Sequence, residues 1–403
     1  MSVRILYLSR TSPLPATGGA PVRVDSIWQT LKGLFGNGVT LAVLGDKPKP
    51  DVRRVLRAQG VKFFPPRRET SLDKVRRYVS AYASGRCIVA TRFLSPRRVA
   101  RVVRYVKSLS PDVVILGDTE LAELIEPIKS STGAKVVCDT HNVWSLLHER
   151  VATQSRTLSG RVQHTLLKKN MLGIEQRLMK LADVVWATSD TDAGHYRDVL
   201  KLKRVHTVPN VIDVDRYVPH AGGEPGAIVF TGFMRYWPNE DAALRLVEIS
   251  KRLASENIPH HVYLVGKAPT DALKNAAKGV STVTVTGFVP DVQVYLGKAS
   301  VVAVPLMSGS GTKIKILEAL ASGKAVLTTP IGAEGMTVSD AAVIARDEST
   351  FYSELKALLN DPARCEKLGN AGRAWVEAHG SRQALARQIA VALPVEARER
   401  VMV

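Results

Sequence analysis

The sequence predicts an α/β protein of two Rossmann-like domains facing across a cleft. Three observations point there. With 403 residues the chain can bury two separate cores. Short apolar runs of strand length alternate with segments of helical periodicity, the pattern of parallel sheets covered by helices. After the loop Pro219 to Gly226, with its three glycines and two prolines, that alternation starts afresh.

In the first half, Val3 to Leu8 reads as a buried strand. The loop Arg10 to Ala20 carries Gly18-Gly19. Pro21 suits the first position of the helix that follows, whose Val24, Ile27, Trp28 and Leu31 share one apolar face. Gly-Gly before a helix either lets a ligand approach the backbone or simply makes the turn. Val39 to Leu44 and Val61 to Phe64 are the next strands, followed by two basic helical segments, Leu72 to Ala83 and Pro96 to Leu109. In the second, Val99, Val102, Val103 and Val106 share one face, and Arg97, Arg98, Arg101, Arg104 and Lys107 crowd the other. Such a helix either covers the sheet or lies on an anionic membrane. Strands Asp112 to Gly117 and Ala134 to Cys138 come next. The second runs into Asp139-Thr140-His141-Asn142, where a His is expected to face the cleft. His148 and Glu149 either approach the same place or cover the following helix. A helix near Leu166 to Leu181, strand Asp183 to Ala187, a helix start at Thr188-Ser189-Asp190 and strand Val205 to Val208 complete this half.

The second half opens with strand Ala227 to Thr231, the loop GFMRYWPNEDAA containing Arg235, and a helix from about Pro238 to Leu253. Strands Val262 to Val265 and Val283 to Thr286 end in Gly266-Lys267 and Gly287-Phe288-Val289. Val301 to Val304 is a buried strand and Ser308-Gly309-Ser310-Gly311 a loop. Thr312 then caps a helix from about Lys313 to Ala321, which Ser322-Gly323 stops. Strand Ala325 to Thr328 and the loop Gly332-Ala333-Glu334-Gly335 follow, and helices Ser349 to Leu359, Pro362 to His379 and Ser381 to Leu393 finish the chain.

Open α/β sheets bind ligands at the carboxyl ends of their strands. At one such end, three side chains resist a purely structural reading. Lys313 and Lys315, in a first helical turn, oppose the helix dipole. An anion held at that helix start would reverse the sign. Glu318 falls on or beside the apolar face with Ile314, Leu317 and Ala321. A buried carboxylate needs a partner, and a ribose diol offers two hydroxyl donors. The alternative is two solvated lysines and a Glu at the edge of the core.

On these residues the chain resembles the retaining glycosyltransferases of family 4, which have the GT-B fold. The resemblance covers nearly the whole chain, is strongest from Thr286 to Gly335 and is weakest from Asp51 to Ser110. Glu318-Ala319 matches the second half of the family's Glu-x7-Glu motif. The first Glu falls at Ser310, so the chain follows a branch with Gly-Ser-Gly-Thr before Lys313 and Lys315. The resemblance implies a nucleotide diphosphate sugar, UDP- or GDP-linked, as donor substrate. Arg235, Gly287, Phe288, Val289, Ser310, Gly311, Thr312, Lys315 and Glu318 would bind it, the base through the main chain of 287–289. Lys313 or Lys315 would meet the diphosphate. His141, Lys313 and Glu318 would form the catalytic set, with Gly18 and Gly19 on the acceptor side. Residues 1–208 would be the acceptor domain and 209–380 the donor domain, with a last helix in 381–403 packing back on the first. Neither cofactor nor metal is expected; Asp190 and Asp192 suit a helix start better than Mg²⁺.

Other classes recede. No G-x-G-x-x-G follows the first strand, which argues against a dehydrogenase. Residues 1–10 hold a strand-length apolar run without a cleavage site, and no run reaches the ~18 residues of a membrane span. Cys87, Cys138 and Cys365 are scattered, so a reducing cytoplasm is the natural compartment. The net charge of +19 is uneven: residues 49–107 hold 17 Lys/Arg against Asp51, Glu69 and Asp73. Without zinc-knuckle, helix-turn-helix or aromatic-basic signatures, nucleic acid is not the expected partner. A glycan or lipid-linked acceptor and an anionic membrane surface are, placing the protein in the cytoplasm or on the inner membrane face. Three functions follow. One is a glycosyltransferase of cell-surface polysaccharide or glycolipid synthesis. The second is a sugar epimerase, which would need no acceptor. The third is a non-catalytic basic scaffold, which would bind no nucleoside diphosphate.

Overall fold

The computed structural model describes residues 3–16, 18–66, 70–84, 86, 90–155, 157–220, 223–309 and 312–394. Ser310 and Gly311 of the expected donor site therefore lie outside the described residues. The chain divides into two compact units, Met1–Pro209 with Leu385–Val403, and Asn210–Ala384.

The first unit holds a seven-stranded sheet of order β3-β2-β1-β4-β5-β6-β7. Its strands are β1 (Ile5–Ser9), β2 (Val39–Val43), β3 (Lys62–Phe63), β4 (Val113–Gly117), β5 (Lys135–Asp139), β6 (Val184–Ala187) and β7 (Val205–Thr207). Every pair is parallel. Strands β1, β4 and β6 are buried along their whole length, so they read as continuous apolar runs rather than as alternation. The helices are α1 (Gly19–Phe35), α2 (Pro50–Ala58), α3 (Ser71–Ala83), α4 (Pro96–Leu109), α5 (Ile125–Lys129), α6 (Trp144–Gln154), α7 (Leu158–Leu178) and α8 (Asp190–Gly194). The strand order turns back between β1 and β4. That switch point lies at the carboxyl ends of these two strands, where open sheets of this kind bind ligands. Tyr7 fills the sheet beside it, because Gly117 has no side chain: a Cβ there would lie 2.7 Å from the Tyr7 ring.

Two expectations change. The helix expected at 166–181 is there but starts earlier, as α7 at Leu158, and it packs on α6, a helix that was not expected. The long, weakly patterned α7 hides its period because its first half carries exposed apolar residues among polar ones. On α4, Val102 and Val106 are buried as expected, but the arginines do not all face water. Arg98 turns inward and donates to the carbonyls of Leu44 (2.8 Å) and Phe64. Burial lowers its pKa to about 10. Arg101 lies over the Phe64 ring, 5.0 Å from its centroid. Two charges of that row therefore bind the helix to its own unit.

The second unit holds a six-stranded sheet of order β10-β9-β8-β11-β12-β13. The strands are β8 (Ala227–Thr231), β9 (His261–Val265), β10 (Val283–Gly287), β11 (Val301–Val304), β12 (Ala325–Thr328) and β13 (Val343–Ile344), again all parallel. Its helices are α9 (Trp237–Ser255), α10 (Asp271–Ala277), α11 (Gln293–Lys298), α12 (Ile314–Ala321), α13 (Glu348–Leu359) and α14 (Pro362–His379). The order turns back between β8 and β11, so the second switch point lies at the loops after those strands. Helix α15 (Arg382–Ala392) begins in the second unit and ends in the first. There the Trp186 indole N–H donates to the Ala392 carbonyl at 2.9 Å.

Candidate active site

Helix α12 lies at the switch point of the second unit. Its start differs from expectation: Lys313, in extended conformation, precedes the first helical residue, and no side chain caps the helix. Thr312 is buried instead, and its carbonyl accepts from Asn210 Nδ2 at 3.2 Å. The Lys313 side chain is nearly buried, with Nζ 3.6 Å from Glu334 Oε2. Lys315 Nζ donates to Asn239 Oδ1 at 2.7 Å and lies 4.1 Å from the centre of the Phe230 ring. The Asn239 amide is oriented by its own N–H donation to the Phe233 carbonyl at 3.0 Å, which leaves Oδ1 for the lysine.

Among the described residues, no carboxylate binds Lys315 directly. Burial pushes its pKa down to about 7, with Lys313 adding to the effect and Glu318 opposing it. Three residues on, and so on the same side of the helix, Glu318 accepts from the Tyr217 hydroxyl at 3.0 Å. Burial raises its pKa to about 7 against the pull of Tyr217 and Lys315. The site thus holds an under-neutralised cation and an under-solvated anion side by side.

Glycines make room for them. A Cβ on Gly232, just after β8, would lie 2.8 Å from Asn239 Nδ2 and 3.0 Å from Lys315 Nζ. A Cβ on Gly266, after β9, would lie 1.7 Å from the Gly232 carbonyl oxygen. The Gly266 N–H donates to the Gly287 carbonyl at 3.2 Å, so three strand ends close on one another through bare backbone. Gly287 takes φ +69° and turns the chain into Phe288, which is 71% exposed, and half-buried Val289. Arg235 is exposed.

The first unit carries a second cluster at its own switch point. His141 follows β5 and was expected to be open; it is 8% exposed. Its Nδ1 lies 3.7 Å from Asp118 Oδ2 and its Nε2 lies 3.9 Å from Asp139 Oδ2, and Nε2 makes no hydrogen bond. Burial lowers the imidazole pKa, while the two carboxylates oppose the shift. Asp139 is held by the buried guanidinium of Arg23 on α1, through Nε at 3.1 Å and through Nη2, and by the Tyr7 hydroxyl at 3.1 Å. Asp118 accepts from Arg10 Nη2 and Trp144 Nε1, both at 3.2 Å. Its φ of 119° is one that residues with a side chain rarely adopt. Arg10 also pairs with Glu120, whose pKa burial raises to about 8. Glu175 on α7 fixes the start of α6 by accepting from the Trp144 N–H at 2.9 Å and from the Ser145 hydroxyl at 2.5 Å. Gly18, at φ +92°, precedes α1, and nothing lies within 4 Å of a Cβ placed on Gly18 or Gly19. Helix α1 starts at Gly19, so Pro21 is its third residue. Among the described residues, no group of three or more His, Cys, Asp or Glu could hold a metal ion.

Two family models match. Residues 17–216 match glycosyltransferase family 4, and residues 225–361 match the group 1 glycosyl transferases. The chain is a glycosyltransferase of the GT-B type. No curated protein matches it. Solved structures of this type resemble it in fold at low identity. Sucrose-phosphate synthase of Thermosynechococcus elongatus has a TM-score of 0.72 at 16% identity over 96% of this chain and 97% of that one. HepE of Anabaena, in complex with UDP-glucose, has 0.66 at 14% over 96% and 98%. TarM of S. aureus, in complex with fondaparinux, alpha-GlcNAc-glycerol and UDP, has 0.67 at 11% over 97% and 99%.

Within this glycosyltransferase, the structure gathers Lys313, Lys315 and Glu318 in the second unit and places His141 in the first. It adds residues the sequence did not single out. Tyr217, Asn239 and Glu334 are the partners of Glu318, Lys315 and Lys313, from three separate loops or helix starts. Arg23, Asp118 and Asp139 surround His141. A charged residue within the apolar face of α1 was the available signal for Arg23. Asp118 gave none, because an Asp after a strand is ordinary loop chemistry.

Proposed function

We propose that this glycosyltransferase moves a sugar from a UDP- or GDP-linked donor to a glycan or lipid-linked acceptor with retention of anomeric configuration. One observation carries the reading. At the switch point of the second unit, the partners of Lys315 among the described residues are a neutral amide and the Phe230 ring, and the side-chain partner of Glu318, three residues away, is a phenol. A nucleoside diphosphate supplies what both lack. Its phosphates neutralise Lys315 and Lys313, and its ribose hydroxyls donate to Glu318. The bare backbone at Gly232, Gly266 and Gly287 leaves room for the nucleotide, and the main chain of 287–289 meets the base. UDP and UDP-glucose in the neighbouring structures support this choice of donor. As the bond from the anomeric carbon to the diphosphate breaks, its electron pair goes to the phosphate. Fixed positive charge there stabilises the developing anion. The transfer asks for no cofactor. His141 orients the reacting sugar or the acceptor hydroxyl, a role that rests on the likeness to family 4. Retention rests on the likeness to family 4. Synthesis of a surface polysaccharide or glycolipid is the role that suits such an acceptor.

Calorimetry with UDP- and GDP-linked sugars tests the reading. Glu318→Gln should weaken binding of the preferred donor by about 1–3 kcal/mol, the range for a hydrogen bond to a charged group. Wild-type affinity in Glu318→Gln, or no binding of either nucleotide class, rejects it. The anomeric configuration of the product, read by NMR, decides retention.

A further inference from the structure

The basic part of the first unit carries apolar residues on its outside. On α3, Leu72, Val75 and Val79 follow one another at i, i+3 and i+7 and are 59 to 66% exposed. On the first half of α7, Leu158, Val162 and Leu166 follow at i, i+4 and i+8 and are 43 to 79% exposed. The segment just past α3 meets α7. Asn170, one turn beyond Leu166, donates through its side chain to the carbonyl of Arg86, three residues past the end of α3, at 3.0 Å. Both stripes are set among cations. By sequence, α3 holds Lys74, Arg76 and Arg77 with Asp73 as its one acid, and residues 158–170 of α7 hold Arg161, Lys168 and Lys169 with no acid of their own, Lys168 being paired with Glu149 of α6. Arg76, Arg161 and Lys169 are exposed.

We propose that α3 and the first half of α7 dock the protein on an anionic lipid bilayer, the aliphatic stripes entering the interface and the flanking Lys and Arg meeting headgroup charge. The charge pattern selects this occupant. In a symmetric dimer the same patch faces itself, and here cation would face cation. A nucleic acid has no use for aliphatic stripes. An amphipathic surface with a basic rim gains from burying apolar area and from attraction to anionic lipid together. The proposal moves the contact away from α4, where Arg98 and Arg101 are engaged within the unit. It goes beyond the transfer reaction and does not depend on it.

The test is sedimentation of the full chain with vesicles of phosphatidylcholine alone or mixed with phosphatidylglycerol. Wild type should pellet far more with the mixed vesicles than with phosphatidylcholine alone. Val75→Asp combined with Val79→Asp should lower the partition coefficient by about tenfold or more, with an unchanged melting curve and unchanged nucleotide-sugar affinity. If the acidic pair fails to fold, Leu72→Ser with Val79→Ser gives the same comparison. Raised salt should release the Asp pair completely but leave part of the wild type bound, because insertion is not screened. Three results overturn the proposal. One is wild type remaining in the supernatant with anionic vesicles at low salt. The second is equal binding by wild type and stripe variants, which leaves bare charge as the cause. The third is an oligomer, seen by light scattering, that the stripe variants abolish.

Discussion

Donor binding should be greatest near pH 7 and fall on both sides, for reasons that lie in Lys315 and Glu318. In the free protein, burial holds Lys315 at about 7 and Glu318 at about 7. Phosphate beside Lys315 favours its charged form, and ribose hydroxyls on Glu318 favour the carboxylate. Binding therefore takes up a proton above pH 7, at Lys315, and releases one below pH 7, at Glu318. Between pH 7 and 8.5 the charged fraction of a free Lys315 falls from half to about one thirtieth. Over the same interval the ionised fraction of Glu318 rises from half to nearly one, so the net affinity drops about eightfold, or ~1.3 kcal/mol at 1.36 kcal/mol per tenfold. The same arithmetic gives a similar fall from pH 7 to 5.5 through Glu318. The measurement is titration calorimetry with a nucleotide sugar, whose doubly esterified diphosphate does not titrate in this window, in pairs of buffers with different ionisation enthalpies. Lys315→Met should flatten the alkaline limb and Glu318→Gln the acid limb. Stability carries the complementary signature. The raised pKa of Glu318 makes its contribution fall as pH rises from 4.5 to 7, and the lowered pKa of Lys315 makes its contribution rise from pH 7 to 10.5. Affinity that is flat from pH 5.5 to 8.5, or limbs that survive in the variants, would refute the reasoning.

Further outcomes follow from the same geometry. His141→Ala should leave nucleotide affinity intact while lowering transfer by about 100-fold, as for a group acting at the reacting centre; equal losses in both would make it a structural residue. Arg23→Met leaves the Asp139 carboxylate buried without its cation, and urea unfolding should show a loss of about 3–5 kcal/mol; a change below about 1 kcal/mol would mean that Asp139 does not depend on it. Gly266→Ala places a Cβ 1.7 Å from the Gly232 carbonyl at φ +149°. It should destabilise the protein by about 2–4 kcal/mol and weaken donor binding, and an unchanged melting temperature would show that the strand ends need not close as described.

Much of the fold is legible in the sequence, because its signals are local. Runs such as Val301 to Val304 and Ala325 to Thr328 are apolar throughout, since both faces of a parallel sheet are covered, and they occur as strands at those bounds. Pro96 to Leu109 reads as a helix from its own period. The lysines and Glu of α12 stood out because charge does not belong beside an apolar face. What escaped was pairing over distance. Which uncharged group would meet Lys315 depended on the turn that brings Asn239 back over Gly232. Tyr217 reaches Glu318 across 101 residues, and Arg23 reaches Asp139 across 116. Arg98 looked like one more solvated arginine because helical period reports direction, not what fills the space in that direction. His141 looked exposed for the same reason; the side chains that bury it come from the ends of two other strands and from α1. Sequence by itself determined the strands and most of the long helices, and marked the lysines and Glu of α12 as misplaced for a plain core, since propensity and hydropathy act on neighbours in the chain. Only the tertiary structure decided how those charges are partnered, buried and shifted in pKa, because desolvation and Coulomb interaction act through space.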